Sequence, residues 1–224
     1  MSNLGRMSLN ELGDLLLSWI VLVIGFSIVF ERRMPGLEAV AIIAVGVGTG
    51  FLLHELAHKF VAQRYGYWAE YQANKTGLLF IIVMALAGFI FAAPGVVVIH
   101  KMSYAVPSSA YLYGSPYGTE VSWDREKDKK DELHISLAGP MINVILALIS
   151  LASVLSGMVT EGLAFGIAYF TFFINLNLAA FNLLPFGPLD GRKVYESSPV
   201  VWAIVAIPII LRGVVVLFFR VRII

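Results

Sequence analysis

The chain has 224 residues, 58% hydrophobic and 14% charged, where soluble domains run at roughly half and a quarter. That balance marks an integral membrane protein, and the length allows one membrane domain with no large soluble module beside it. A net charge of +1 gives no footing for a nucleic-acid partner, and the lack of cysteine excludes disulfides and thiolate metal sites, leaving imidazole and carboxylate as ligands.

Residues 1–14 are polar, with Leu4, Met7, Leu9 and Leu12 along one side of a short helix. Ser8 and Glu11 read as a capping box, so an interfacial helix leading into the membrane is expected. Residues 15–30 form a first span; the basic start and small-residue cleavage site of a signal peptide are lacking, which predicts a permanent helix. Residues 36–65 form the second. Its Gly46, Gly48 and Gly50 have no strand, turn or lysine signature of a phosphate loop and are expected to let helices approach closely.

The last third of this span carries His54-Glu55-Leu56-Ala57-His58. Two histidines four apart on a helix lie about 40° apart around the axis and about 6 Å along it, so both imidazoles can reach one metal ion. Glu55 can then act as general base on a water that the metal activates. With only 4 histidines in the chain, chance would place such a string about 0.003 times, so it is a signal. Ionisable groups inside a membrane are costly and mark function.

Tyr65, Tyr67, Trp68 and Tyr71 suit the headgroup layer. Residues 76–99 are long enough to span, but Ala92-Ala93-Pro94-Gly95 interrupts them and Val96, Val97, Val98 and Ile99 read as a strand. A re-entrant stretch is therefore expected, with a helix over 77–93, a turn at 94–95 and a strand over 96–99. It would put Arg6, Lys59, Arg64, Lys75, Lys101, Arg125, Lys127, Lys129, Lys130, Arg192 and Lys193 on one side, 11 in all, against 4 on the other, Arg32, Arg33, Arg220 and Arg222. A full crossing gives 6 against 9. The positive-inside rule thus favours five full spans over six, with the exit of the histidine helix in the cytoplasm. The Pro94-Gly95 turn becomes a candidate wall of a wet cavity.

Residues 102–133 are a polar surface loop, expected to hold a β-hairpin over 103–123 and a solvated charge run over 124–132. Residues 135–158 span next, opening with Gly139-Pro140; Asn143 there needs a partner, as interhelical glue or as support for the site. Residues 163–184 carry Asn175, Asn177 and Asn182 and end at Pro185-Phe186-Gly187-Pro188. Asp190 follows, and spacing alone leaves it open as a metal ligand or as the cap of a helix over 192–196. Residues 200–219 close the chain.

Three separated pieces occur together: the His54 to His58 string, Gly139-Pro140 with Asn143, and Phe181-Asn182-Leu183-Leu184-Pro185 leading to Leu189-Asp190-Gly191. In order and approximate spacing they resemble the site-2 protease family of intramembrane zinc metalloproteases, over a core of residues 36–195. The resemblance implies an all-α polytopic protein with a single membrane-embedded protease domain over 1–224. It implies one Zn²⁺ held by His54, His58 and Asp190, with Glu55 as base. Asn182 would lie near the scissile bond as a candidate oxyanion donor. Substrates would be transmembrane proteins or peptides in the lipid bilayer, and the active site would open to the cytoplasmic side of the cell membrane. A substrate helix hides its carbonyls and must unwind; Val96, Val97 and Val98 could hold the unwound segment by strand addition, and Asn143 is a further candidate contact. A PDZ-like insertion does not fit this length, and the stretch over 77–131 exceeds what a compact member needs, which makes it the expected seat of substrate selection. A prenyl-protein type protease would need a downstream glutamate, and Glu161 and Glu196 lack a ligand context. A zinc transporter or an inactive helix-binding scaffold would each treat Glu55 differently.

Overall fold

The computed structural model describes residues 7–30, 36–90, 94–100 and 125–219. Within these the chain runs α1 (Leu9–Phe30), α2 (Leu37–Arg64), β1 (Trp68–Ala73), α3 (Lys75–Leu86), β2 (Gly95–His100), α4 (Arg125–Leu155), α5 (Gly162–Asn182), α6 (Asp190–Ser197) and α7 (Pro199–Phe219). A backbone in lipid must satisfy its own hydrogen bonds, so long apolar runs fold as helices. Four of them, α1, α2, α4 from Lys129 and α5, are long and apolar enough to cross a membrane. The expected helical polytopic architecture is present, with one small antiparallel sheet.

α1 is one continuous helix from Leu9, not a separate interfacial helix followed by a span over 15–30. Ser8 caps it by accepting the Glu11 N–H at 3.0 Å. The Glu11 carboxylate does not close a capping box but turns inward, where it pairs with Lys59 of α2 and accepts the Tyr71 N–H at 3.1 Å. Both charged side chains are almost wholly buried. Such a pair is tolerable only because each group finds hydrogen-bond partners in place of water.

The three glycines of α2 serve packing. A Cβ on Gly46 would lie 2.4 Å from the Phe170 ring of α5, and one on Gly48 would lie 2.9 Å from the Trp19 indole of α1. Gly50 likewise makes room for Leu178 and Asn175 of α5. Without side chains at these points α2 sits between α1 and α5 at distances that branched residues would forbid.

The segment after α2 departs from expectation. Trp68–Ala73 is a strand, not a loose aromatic stretch; Ala69 and Tyr71 turn inward while their neighbours are more exposed, the period of two that a half-buried strand requires. α3 spans Lys75–Leu86 and not 77–93, because the chain leaves the helix at Ala87 and reaches positive φ at Gly88. Its 12 residues measure about 18 Å, well short of a bilayer core of about 30 Å. Residues 91–93 lie outside the described set, as do 101–124 with the hairpin expected over 103–123. The strand starts at Gly95, one residue before the expected 96, and runs to His100. It pairs antiparallel with β1, and the Asn74 N–H donates to the Pro94 carbonyl at 2.8 Å. The excursion through α3 therefore leaves and returns at the same place.

The register gives the sheet two unlike edges. Asn74 bonds across to Pro94, so the hydrogen-bonded pairs are Gln72 with Val96 and Glu70 with Val98, and the alternate residues turn their amides outward. On β1 the outward amides meet α1: Tyr71 donates to Glu11 and Ala73 to Asp14 at 3.0 Å. On β2 the outward groups belong to Gly95, Val97 and Ile99, the residues that line a cavity described below.

From Arg125 the charge run expected over 124–132 forms the first turns of α4, and it is not solvated throughout: Asp131 is buried and accepts the Tyr67 hydroxyl at 2.7 Å.

Removing Glu11 strands a buried ammonium and an unpaired strand N–H. Glu11→Ala is expected to cost about 3–5 kcal/mol of stability, and the double substitution Glu11→Met with Lys59→Met to recover most of it. Thermal melts in detergent check both.

Candidate metal centre

α2 presents His54 and His58 one turn apart on the face turned toward α4, and α6 brings Asp190 to the same point. The Nε2 atoms of the two histidines are 3.0 Å apart, and Asp190 Oδ2 lies 3.2 Å from His54 Nε2 and 3.1 Å from His58 Nε2. A tetrahedral zinc with bonds of about 2.0–2.1 Å sets its ligand atoms about 3.3 Å apart, so this triangle of two imidazoles and a carboxylate fits the ion. Among the described residues this is the one group of three such side chains with ligand atoms this close together.

The surroundings direct the lone pairs inward. His58 Nδ1 donates to the Ile135 carbonyl of α4 at 2.7 Å, which leaves Nε2 unprotonated and free to ligate. Pro140, inside α4, has no N–H for the Ser136 carbonyl, the neighbour of the Ile135 carbonyl that receives His58. Gly139 closes the back of the site: a Cβ there would lie 2.3 Å from His58 Nε2 and 2.6 Å from His54 Nε2. Asp190 is the first residue of α6, Leu189 stands at the cap position, and no side chain caps the helix, so the carboxylate serves the cluster instead. Burial acts to raise its pKa, but the charges and hydrogen bonds of His58 and His54 outweigh that and hold the carboxyl well below the usual carboxylate range. Gly191 lets α6 press on the end of α5, where its Cβ would meet the Leu183 carbonyl at 2.1 Å; Trp202 of α7 donates to the same carbonyl at 2.9 Å.

Two cavities open on the cluster, and a third joins them at Asn182. The smallest, about 80 Å³, is lined by the three cluster residues with Glu55, Asn182, Lys193 and the outer edge of β2. A second of about 300 Å³ runs from Leu22 and Phe26 of α1 to His54 and Glu55, past Pro94 and Val96. A third, apolar and about 380 Å³, lies between α1, α5 and α7. Asn182 lines all three. Val96 and Val97 face the first, and Val98 does not appear on its wall. Asn143, one turn beyond Gly139 on α4, is fully buried and lines none of these three cavities. Sequence reasoning passed over Gly139 as a packing element of the site and Lys193 as a wall residue; the offset of three from Asp190 to Lys193 on one helix face was the signal for the latter.

Gly139→Ala drives a methyl into the ligand atoms while adding helix propensity. Bound zinc, read by metal analysis after dialysis, should fall by at least about tenfold, with the melting temperature of the metal-free protein unchanged or raised.

The profile of peptidase family M50 matches residues 42–167 and 156–209. The inferred zinc metalloprotease MJ0611 of Methanocaldococcus jannaschii is 37% identical over 206 residues, covering 92% of this chain and 93% of the relative. The inferred zinc metalloprotease YwhC of Bacillus subtilis is 31% identical over 166 residues, 66% of this chain and 64% of its own. Rip3 of Mycobacterium tuberculosis, likewise inferred, is 28% identical over 193 residues, 80% of this chain and 39% of its own. No solved structure matches significantly. With a family profile across most of its length and a relative aligned nearly end to end, the chain belongs to peptidase family M50, the site-2 protease family of membrane zinc metalloproteases.

Proposed function

We propose that the chain hydrolyses peptide bonds within or near transmembrane helices of membrane-protein substrates, at one Zn²⁺ held by His54, His58 and Asp190. The observation that carries this is the convergence of those three ligand atoms in a cavity that also holds Glu55 and Asn182. Bound there, zinc supplies Lewis-acid activation, bringing a water's pKa toward neutrality and polarising the scissile carbonyl. Glu55 takes a proton from the attacking water and passes it to the leaving amine, so the carboxylate ends the cycle as it began. Asn182, at the end of α5 and on the wall of all three cavities, donates to the carbonyl oxygen as negative charge develops on it.

The substrate reaches the site unwound. The outward amides of Gly95, Val97 and Ile99 offer a strand edge beside the metal ligands, and a chain added there replaces its lost helical hydrogen bonds with bonds to β2. Asn74 and Pro94 bond at the base of the α3 excursion, which supports a re-entrant reading of residues 75–94: α3 enters the bilayer and the chain returns to the same face. With α7 counted as a crossing beside the four longer apolar helices, the chain crosses five times, and the positive-inside count favours a cavity mouth on the cytoplasmic side of the cell membrane.

Glu55→Gln should lower cleavage of a single-span substrate in detergent by roughly 10²–10⁴-fold with zinc still bound; equal cleavage by both proteins overturns the proposed role. Val97→Pro removes an edge N–H without touching the ladder to β1. It should cut cleavage while zinc content holds, and unchanged cleavage would remove strand addition from the mechanism.

A further inference from the structure

Two buried groups next to the cluster have complementary needs. If His54 ligates through Nε2, its proton sits on Nδ1. That Nδ1 is buried and finds no hydrogen-bond partner, whereas His58 Nδ1 has the Ile135 carbonyl. On α5, Asn175 is fully buried; its Nδ2 donates to the Thr171 carbonyl at 2.9 Å, and its Oδ1 is left without a donor. One helix holds a donor without an acceptor and its neighbour an acceptor without a donor.

They lie at the same depth. A helical side chain covers the turn N-terminal to its own Cα, so the His54 ring lies over Gly50. Both terminal atoms of the Asn175 amide are 3.5 Å from where a Gly50 Cβ would be. Leu178 Cδ1 lies nearest that position at 2.9 Å, so the glycine brings both Leu178 and the Asn175 amide close to the α2 backbone beneath His54. α4 runs antiparallel to α2 here, Ile135 meeting His58 and Gly139 meeting both histidines. Asn143, one turn beyond Gly139, thus comes level with Gly50 and His54, and its Oδ1 and Nδ2 are both buried and unpartnered.

We propose that Asn175, through one buried water shared with Asn143, holds the His54 Nδ1–H and so positions that imidazole for the metal. The water accepts from His54 and donates to Asn175 Oδ1 and Asn143 Oδ1, three partners of the two to four that a buried water takes. The inference rests on the zinc-site reading above. Asn175 and Asn143 are positioning residues, since neither reaches the reacting atoms.

The test is zinc affinity of the full chain in detergent, by competition with a chromophoric chelator, for wild type, Asn175→Leu, Asn143→Leu, Asn175→Asp and the double leucine variant. Each leucine should weaken binding about 10–100-fold without lowering the melting temperature of the metal-free protein. Asn175→Asp keeps an acceptor and should stay within about threefold of wild type. In the double variant the loss should not exceed that of the worse single one, since both act through the same water. The visible absorption of the Co²⁺-loaded protein should shift in the leucine variants and not in Asn175→Asp. Wild-type affinity in both leucine variants overturns the inference, as does an Asn175→Asp protein as weak as Asn175→Leu. Absence of zinc binding by wild type instead overturns the metal site itself.

Discussion

The candidate metal centre depends on how closely the backbone of α4 approaches the two imidazoles at Gly139. Histidines on one helix face would otherwise look into lipid or a loose cavity, and a membrane interior gives such groups no solvent to fall back on. With no side chain at Gly139, α4 becomes a wall within van der Waals reach of His54 and His58. One turn before Gly139 the Ile135 carbonyl meets His58 Nδ1, so one short stretch of α4 sets both the distance and the orientation of that ring. Asp190 then needs only to close the open corner of the triangle, and Gly191 lets α6 press close enough to do so.

The N-terminal turn of α1 supports the site from the other side. Glu11 and Asp14 occupy the outer amides of β1, and Lys59, beside His58 in sequence, fixes Glu11 in turn. The sheet is thus bound to the helix that carries the histidines by ionic and backbone hydrogen bonds in a buried setting, where they hold geometry far better than at a surface. A wall strand made only of apolar contacts would be free to slide in register against α1.

Much of this was legible in the chain. The HExxH string, the proline-terminated α5 and the apolar runs carry local signals, and each produced its element. Asp190 could not be decided by spacing, because a carboxylate at a helix start serves a cap or a metal equally well; its partners lie 132 positions away in sequence. β1 was missed because Trp68 and Tyr71, like the tyrosines before them, suit a membrane surface as well as a strand, and only pairing with Gly95–His100 separates the two. α3 was drawn too long because Phe89 and Ile90 are as apolar as the helix, while the positive φ at Gly88 ends it. Asp131 looked solvated among its charged neighbours, and the tyrosine that buries it comes from a distant corner. Contacts of this kind are set by topology and leave no mark at either end of the sequence.

The unlike edges of the small sheet bear on where a bound chain could be cut. With β1 closed by carboxylates, an added strand can lie only along β2, on the side of His54, His58 and Asp190. Its peptide groups would alternate, one carbonyl bonded to β2 and the next turned toward the cluster. Sliding such a chain by a single residue exchanges the two sets and hides the reacting bond, so the next productive alignment lies two residues on, about 7 Å along the strand. Alternative products from one substrate would therefore differ in length by even numbers of residues, a spacing set by the pleat and not by the side chains at the cut.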